Sequence, residues 1–179
     1  MKRVALFGGS FDPPHNGHIA IIEKLKTLPF IDEVVVMPTY LNPFKEKFHA
    51  DGKKRLEWLR EIFKDDSKVK VSDFEVKQNK AVPTYETVLK LLQTYKKVYV
   101  TIGADNVASL DKWYKAKELQ ELVEFLVITR KGYTIPKKFY TIELDEDISS
   151  TQLRKNLDLT KIPATIADAI QKEYNANKN

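Results

Sequence analysis

The sequence has no cysteine, which excludes disulfides, thiolate metal ligands and cysteine nucleophiles. Three histidines and no thiols are too few ligands for a structural zinc site. No apolar run approaches the ~20 residues that a membrane-spanning helix requires. The start, Met1-Lys2-Arg3, leads straight into a strand-like segment and Gly-Gly, without the apolar stretch of a signal peptide. A stripe of one-signed charge is also missing. The net charge is +5, but stretches such as Lys45-Glu46-Lys47 and Asp51-Gly52-Lys53-Lys54-Arg55 mix both signs and read as solvated faces. A nucleic-acid interface would show a basic stripe, so no nucleic-acid partner is expected. The surplus of cations does suit small anions such as nucleotides. There are no internal repeats and no low-complexity linker. The expectation is one cytoplasmic domain over residues 1–179, with 148–175 forming a C-terminal helical portion packed on it. No membrane contact is expected, and the chain reads as a monomer or weak homo-oligomer.

What is present is concentrated in residues 5–18, Ala-Leu-Phe-Gly-Gly-Ser-Phe-Asp-Pro-Pro-His-Asn-Gly-His. Three of the six glycines and two of the three histidines fall in this window. An apolar strand runs into Gly8-Gly9-Ser10-Phe11, and after the Asp12-Pro13-Pro14 corner a helix opens near Asn16 and Gly17. Glycines allow a sharp turn and close approach of backbone to ligand. A helix N-terminus offers free N–H groups and a partial positive charge, both suited to phosphate. His15 and His18, three apart, share a face in the first turn. Each imidazole can donate to phosphate oxygens, and neither needs a large pKa shift for that. The competing reading is a tight turn whose histidines merely cap or pack, but such a turn requires neither histidine.

Along the chain, strand one (3–7) is followed by a helix over about 16–28. Val34-Val35-Val36-Met37 is a continuous apolar run, as in a parallel strand buried on both faces, and it ends at Pro38. Residues 51–63 carry Leu56, Leu59 and Ile62-Phe63 at helical spacing. Val69–Phe74 reads as a third strand, 77–83 as loop and Tyr85–Tyr95 as an amphipathic helix. Val98–Ile102 and Phe125–Thr129 are further strands, with helices around 104–110 and 115–121 bracketing Trp113. A short strand near Tyr140–Leu144, a helix through Leu153 and Leu157, and a last helix opened by Pro163 follow, with Asn175–Asn179 fraying. This alternation predicts an α/β fold, a mainly parallel sheet of five or six strands with helices on both faces. Ligands in such sheets bind beyond the strand C-termini, at the switch in strand order. The Gly8 loop, Pro38–Lys45, Gly103-Ala104-Asp105 and Arg130 all follow strand C-termini and converge on that rim.

Gly8-Gly9-Ser10-Phe11-Asp12-Pro13-Pro14-His15-Asn16-Gly17-His18 resembles the nucleotidyltransferase signature (G/S)xFxPxHxGH, and its longer form resembles bacterial nicotinate-nucleotide adenylyltransferases in particular. Ile148-Ser149-Ser150-Thr151-Gln152-Leu153-Arg154 is similar to the family's ISSTxxR motif. On physical grounds Ser150 or Thr151 can cap a helix, and Arg154 one turn on can reach the same anion. Taken alone, that segment reads as a plain N-cap followed by a surface arginine. Asn42-Pro43-Phe44-Lys45 stands where the family has Pro-Pro-His-Lys, with Phe44 departing and Lys45 retained. Gly103-Ala104-Asp105 with Trp113 resembles the GADxxxxxxxxW pattern, in which the acid lies near the nucleotide ribose and the tryptophan stacks on the pyridine ring. An indole is also an ordinary core residue. Pro83-Thr84-Tyr85-Glu86-Thr87 aligns with Ser-Tyr-Thr-x-x-Thr; Thr84 and Thr87 match, and Pro83 departs. The resemblance spans residues 3 to about 155 and implies a single Rossmann-like nucleotidyltransferase domain.

The resemblance implies adenylyl transfer from ATP to nicotinate mononucleotide, giving deamido-NAD and pyrophosphate. A phosphate nucleophile is already ionised, so no general base is needed, and catalysis reduces to positioning and charge stabilisation. The implied catalytic residues are His15, His18, Lys45 and Arg154. His18 serves the α-phosphate, His15 the triphosphate, and Lys45 and Arg154 neutralise substrate and pyrophosphate charge. ATP is implied to meet Gly8, Gly9, Ser10, Phe11, His15, Gly17, His18, Gly103, Asp105, Ile148, Ser149, Ser150, Thr151 and Arg154. The mononucleotide is implied to meet Ser10, Lys45, Thr84, Trp113 and Arg130. Mg²⁺ is expected to ride on the ATP phosphates, with no protein metal site. Alternatives are a nicotinamide mononucleotide or phosphopantetheine adenylyltransferase, and a non-catalytic nucleotide-binding module.

Overall fold

Along β1 (Arg3–Gly9) successive side chains leave opposite faces of the strand, Val4 and Leu6 to one side, Ala5 and Phe7 to the other, and both sides are buried. The computed structural model describes residues 1–40, 50–144 and 157–178, with side chains to Asn175. α1 (Asn16–Thr27) returns the chain to β2 (Glu33–Pro38), which is buried at every position. α2 (Gly52–Phe63) leads to β3 (Val69–Val71). Short α3 (Phe74–Lys77) and α4 (Thr84–Leu92) precede β4 (Lys97–Gly103). A 3₁₀ helix (Ala104–Lys112), α5 (Ala116–Leu122), β5 (Glu124–Ile128) and β6 (Tyr140–Ile142) follow. A 3₁₀ turn at Leu159–Lys161 and α6 (Ala164–Lys178) close the described chain.

The six strands form one sheet in the order β3-β2-β1-β4-β5-β6, and every pairing is parallel. Strand order reverses beside β1, which pairs with β2 on one side and β4 on the other. One face packs Leu6, Val35, Val100 and Val127 against α4 and α5 through Val88, Leu91 and Leu119. The opposite face packs Phe7, Val36 and Leu126 against α1 and α2 through Ile22, Leu25, Leu59 and Phe63. A third cluster joins Trp58 of α2 to Ile166, Ile170 and Tyr174 of α6.

Several boundaries differ from the sequence reading. The third strand stops at Val71 instead of reaching Phe74. Ser72 still donates its N–H to the Val36 carbonyl at 2.9 Å, but its Oγ accepts from the Phe74 N–H at 3.2 Å and bends the chain into α3. The helix expected around 104–110 is a 3₁₀ helix that runs on to Lys112. Residues expected to fray at the C-terminus continue α6 to Lys178, and Tyr174 is buried within it. The helix through Leu153 and the loop at 41–49 lie outside the described residues.

Candidate active site

β1 ends in Gly9, whose carbonyl accepts the Thr39 N–H at 2.9 Å, so the ends of β1 and β2 are tied together. The chain then turns at Phe11, which sits in the left-handed region at φ 50°. A non-glycine residue there costs about 1–2 kcal/mol, and the side chain explains why it persists. Its fully buried ring meets Phe7 edge-on at 5.4 Å and His18 at 4.7 Å between centroids. The side chain of Phe11, which was expected among the ATP contacts, supports the turn and the histidine. Asp12 and Pro13 are joined by a cis peptide bond. Asp12 is buried, and its Oδ1 accepts the Ala50 N–H at 2.9 Å and the Tyr174 hydroxyl.

His15 is the N-cap of α1 and forms a reciprocal capping box with His18. The His18 N–H donates to His15 Nδ1 at 3.3 Å, and the His15 N–H donates to His18 Nδ1 at 3.1 Å. The rings stack with centroids 3.6 Å apart and an interplanar angle of 19°. Since both Nδ1 atoms accept, the hydrogen-bond pattern assigns the ring proton to Nε2 in each. Burial lowers the His15 pKa to about 4. Burial, then the neighbouring His15, holds His18 well below its ordinary value. The pair is therefore neutral at physiological pH and still presents two N–H donors. The first-turn N–H groups of His18 and Ile19 are taken by His15 Nδ1 and the His15 carbonyl. Those of Asn16 and Gly17 have no hydrogen-bond partner among the described residues, an arrangement suited to an anion.

Arg55 was read as part of a solvated charge cluster; it is fully buried. Its Nη1 donates to the Ser10 carbonyl at 2.8 Å and the Thr39 carbonyl at 2.6 Å, and its Nε to the Ala50 carbonyl at 3.1 Å. One guanidinium thereby joins the turn after β1, the end of β2 and the entry to α2. Helical spacing held the signal, because position 55 is four before Leu59 on the apolar face of α2.

Beyond the C-terminal ends of β1 and β4, on the α4 face, lies a cavity of about 250 Å³. Gly8, Gly9, Thr84, Gly103 and Trp113 line it, together with two residues the sequence did not flag, Glu75 and Thr101. Trp113 also packs on the core, its ring edge-on to Phe125 at 6.4 Å, so lining and packing are one placement. Thr84 is the first residue of α4, capped by Pro83, which makes no side-chain cap bond. Pro83 at φ −63° and ψ 144° is in a conformation proline favours, so the departure from the family pattern leaves the helix start intact. Glu75 is buried, accepts from Thr87 Oγ1 at 3.0 Å, and is pushed by burial up to about 7.

At the rim, Arg130 Nη1 lies 3.4 Å from Asp105 Oδ2, joining two expected ligands in an exposed pair. Asp105 Oδ1 is buried and without a partner among the described residues. The histidine pair therefore sits on the α1 face and the cavity on the α4 face, with the Gly8-Gly9 end of β1 between them. Lys45, Ile148, Ser149, Ser150, Thr151 and Arg154 lie outside the described residues.

The Cytidylyltransferase-like family matches residues 6–156 of the chain. A Sulfurimonas denitrificans protein named "probable nicotinate-nucleotide adenylyltransferase" is 55% identical over 174 residues, covering 97% of this chain and 96% of that protein. A Nitratiruptor protein of the same name is 48% identical over 174 residues, covering 96% and 98%. Among solved structures, the Plasmodium falciparum nicotinic acid mononucleotide adenylyltransferase complexed with NaAD aligns with a TM-score of 0.80 at 24% identity, covering 99% of this chain and 98% of that one. At that identity the likeness is one of fold.

Proposed function

Because this chain belongs to the Cytidylyltransferase-like family and, within it, to the nicotinate-nucleotide adenylyltransferases, we propose that the two subsites flanking the end of β1 divide the labour of adenylyl transfer. The chain transfers the adenylyl group of ATP to nicotinate mononucleotide in NAD biosynthesis. An oxygen of the mononucleotide phosphate attacks the α-phosphorus in line, the bond to the β-phosphate oxygen breaks, and pyrophosphate leaves.

The observation that carries this division is the neutral, reciprocally bonded histidine pair at the N-terminus of α1. His18 donates Nε2–H to the α-phosphate and His15 to the triphosphate, while the Asn16 and Gly17 N–H groups and the helix dipole favour the same anion. Neutral donors fixed by a capping box need no reorganisation as charge builds on the α-phosphate. Gly9 and Ser10 receive the mononucleotide phosphate, and the pyridine ring enters the cavity against Trp113. There the uncapped start of α4 at Thr84 favours a carboxylate. Asp105 serves the ribose side of ATP with Arg130 beside it, and Lys45 and Arg154 offset phosphate charge. Among the described residues no three metal-ligating side chains converge on one point. Mg²⁺ would ride on the ATP phosphates, with water completing its octahedron. No described helix is long and apolar enough to cross a membrane. We infer that the reaction runs in the cytoplasm, where phosphorylated substrates that do not cross bilayers unaided are retained.

The test is pyrophosphate release from ATP and Mg²⁺ with nicotinate mononucleotide, nicotinamide mononucleotide and phosphopantetheine as parallel acceptors. Release that is strongest with the nicotinate compound supports the reading. Release with phosphopantetheine alone, or with none despite ATP binding, overturns it.

A further inference from the structure

The cavity beside Trp113 is lined by one carboxyl group, that of Glu75, and by no lysine or arginine among the described residues. Yet under the preceding reading it receives a pyridine ring bearing a carboxylate. Glu75 is 7% exposed, and its Oε2 accepts from Thr87 Oγ1 at 3.0 Å. Its Oε1 has no hydrogen-bond partner among the described residues. A carboxyl oxygen left open toward a cavity marks the place of a polar ligand atom, because polar groups that lose water on binding are otherwise paired. An ionised Glu75 would repel a carboxylate in a water-poor cavity, whereas a protonated one would donate to it.

Resting on the reaction proposed above, we infer that Glu75 is a specificity-determining residue, meeting the substituent of the pyridine ring as a neutral carboxylic acid that donates to the nicotinate carboxylate. When ionised, the same group repels the acid and accepts from the N–H₂ of the amide analogue. The choice between acid and amide is then tied to one proton on Glu75.

The surroundings favour the neutral form. On α3, Asp73 is engaged by Lys77 at 2.9 Å and by Arg60 of α2 at 3.5 Å. On α4, Glu86 and Lys90 are exposed and Tyr85 lies beneath the Lys115 ammonium at 5.0 Å. On β2, Glu33 is engaged by Lys2 at 3.1 Å and by the Tyr95 hydroxyl. Asp105, after β4, is engaged by Arg130 at 3.4 Å. None of these makes a hydrogen bond or ion pair with Glu75. Burial therefore sets its pKa to about 7, with the Thr87 bond opposing, and an incoming carboxylate raises it further.

The experiment measures kcat/KM for nicotinate and nicotinamide mononucleotides across pH, in the wild type and in Glu75→Gln, whose amide oxygen still accepts from Thr87 while its N–H₂ is a permanent donor. The second ionisation of the mononucleotide phosphate is common to both acceptors and cancels in their ratio. In the wild type the acid-to-amide ratio falls about tenfold or more from about pH 6 to about pH 8.5, the worth of one charge-assisted hydrogen bond. In Glu75→Gln the ratio stays constant with pH and favours the acid. A wild-type ratio indifferent to pH overturns the inference, as does a folded variant whose ratio follows pH as the wild type does. Pyrophosphate release with neither acceptor would instead sink the reaction itself, so the two failures are distinguishable.

Discussion

His15 and His18 each accept the other's backbone N–H through Nδ1, while their rings stack 3.6 Å apart. The same bonds that start α1 also decide which ring nitrogen carries the proton. Helix capping and the presentation of two Nε2–H donors are therefore one arrangement, and a substitution at either position is felt in both.

The two histidines separate by their cost to folding. His18→Ala removes one Nε2 donor and the acceptor for the His15 N–H, but leaves His15 in place as a side chain at the N-cap. Turnover falls by at least about a hundredfold, in the range of losing one preorganised donor. Stability falls by about 1 kcal/mol, the scale of a damaged cap. Pyrophosphate release and urea titration on the same preparation check both; near-normal turnover removes His18 from the reaction.

The histidines also titrate low. The His15 ring signal, followed by NMR, has its midpoint near pH 4 instead of 6.5. A midpoint near 6.5 would contradict the buried, neutral pair. With the folded pKa below the unfolded one, the associated stability is present above pH 6.5 and is lost as pH falls toward 4.

Glu75 pulls the other way. Its folded pKa lies above the unfolded value of 4.5, so its contribution is present below pH 4.5 and is lost as pH rises through 7. Glu75→Gln therefore gains stability relative to wild type between pH 5 and 8, by about 1–3 kcal/mol. Denaturant midpoints at both pH values test the sign; a difference independent of pH would contradict the raised pKa.

Arg55 satisfies three carbonyls at once, those of Ser10, Thr39 and Ala50. Arg55→Met keeps apolar volume but strands those oxygens, each costing about 1–3 kcal/mol when buried. The expected loss exceeds about 3 kcal/mol, read as the urea midpoint. A loss below about 1 kcal/mol would show that water reaches these carbonyls.

Gly52 opens α2 beneath Val76, and a Cβ there would stand 2.4 Å from Val76 Cγ1. Valine is stiff about χ1 and cannot swing aside cheaply. Gly52→Ala destabilises by about 1–3 kcal/mol. Combined with Val76→Ala, it shows a favourable coupling of about 1 kcal/mol or more in a double-mutant cycle. Additive effects would mean that the backbones move apart instead.

Much of this protein was legible before any coordinates. Continuous apolar runs such as Val34–Met37 and Val98–Ile102 announce strands buried on both faces, because period and composition are local properties. The turn at Gly8-Gly9 and the histidines three apart are equally local, since backbone freedom and helical spacing act over a few residues. Sequence alone thus determined an α/β fold with a glycine turn leading into a histidine-capped helix. It did not determine that β3 would yield to a helix at Phe74, where a serine side chain competed for the backbone. Nor did it show the protonation of the histidines, the burial of Arg55 or the cavity around Glu75. Each of those depends on groups brought together from distant segments: Ser10, Thr39 and Ala50 around one guanidinium, and Thr87 against the Glu75 carboxyl. Only the tertiary structure decides what water is removed and what replaces it, and that exchange sets the charge and hydrogen bonding on which this site operates.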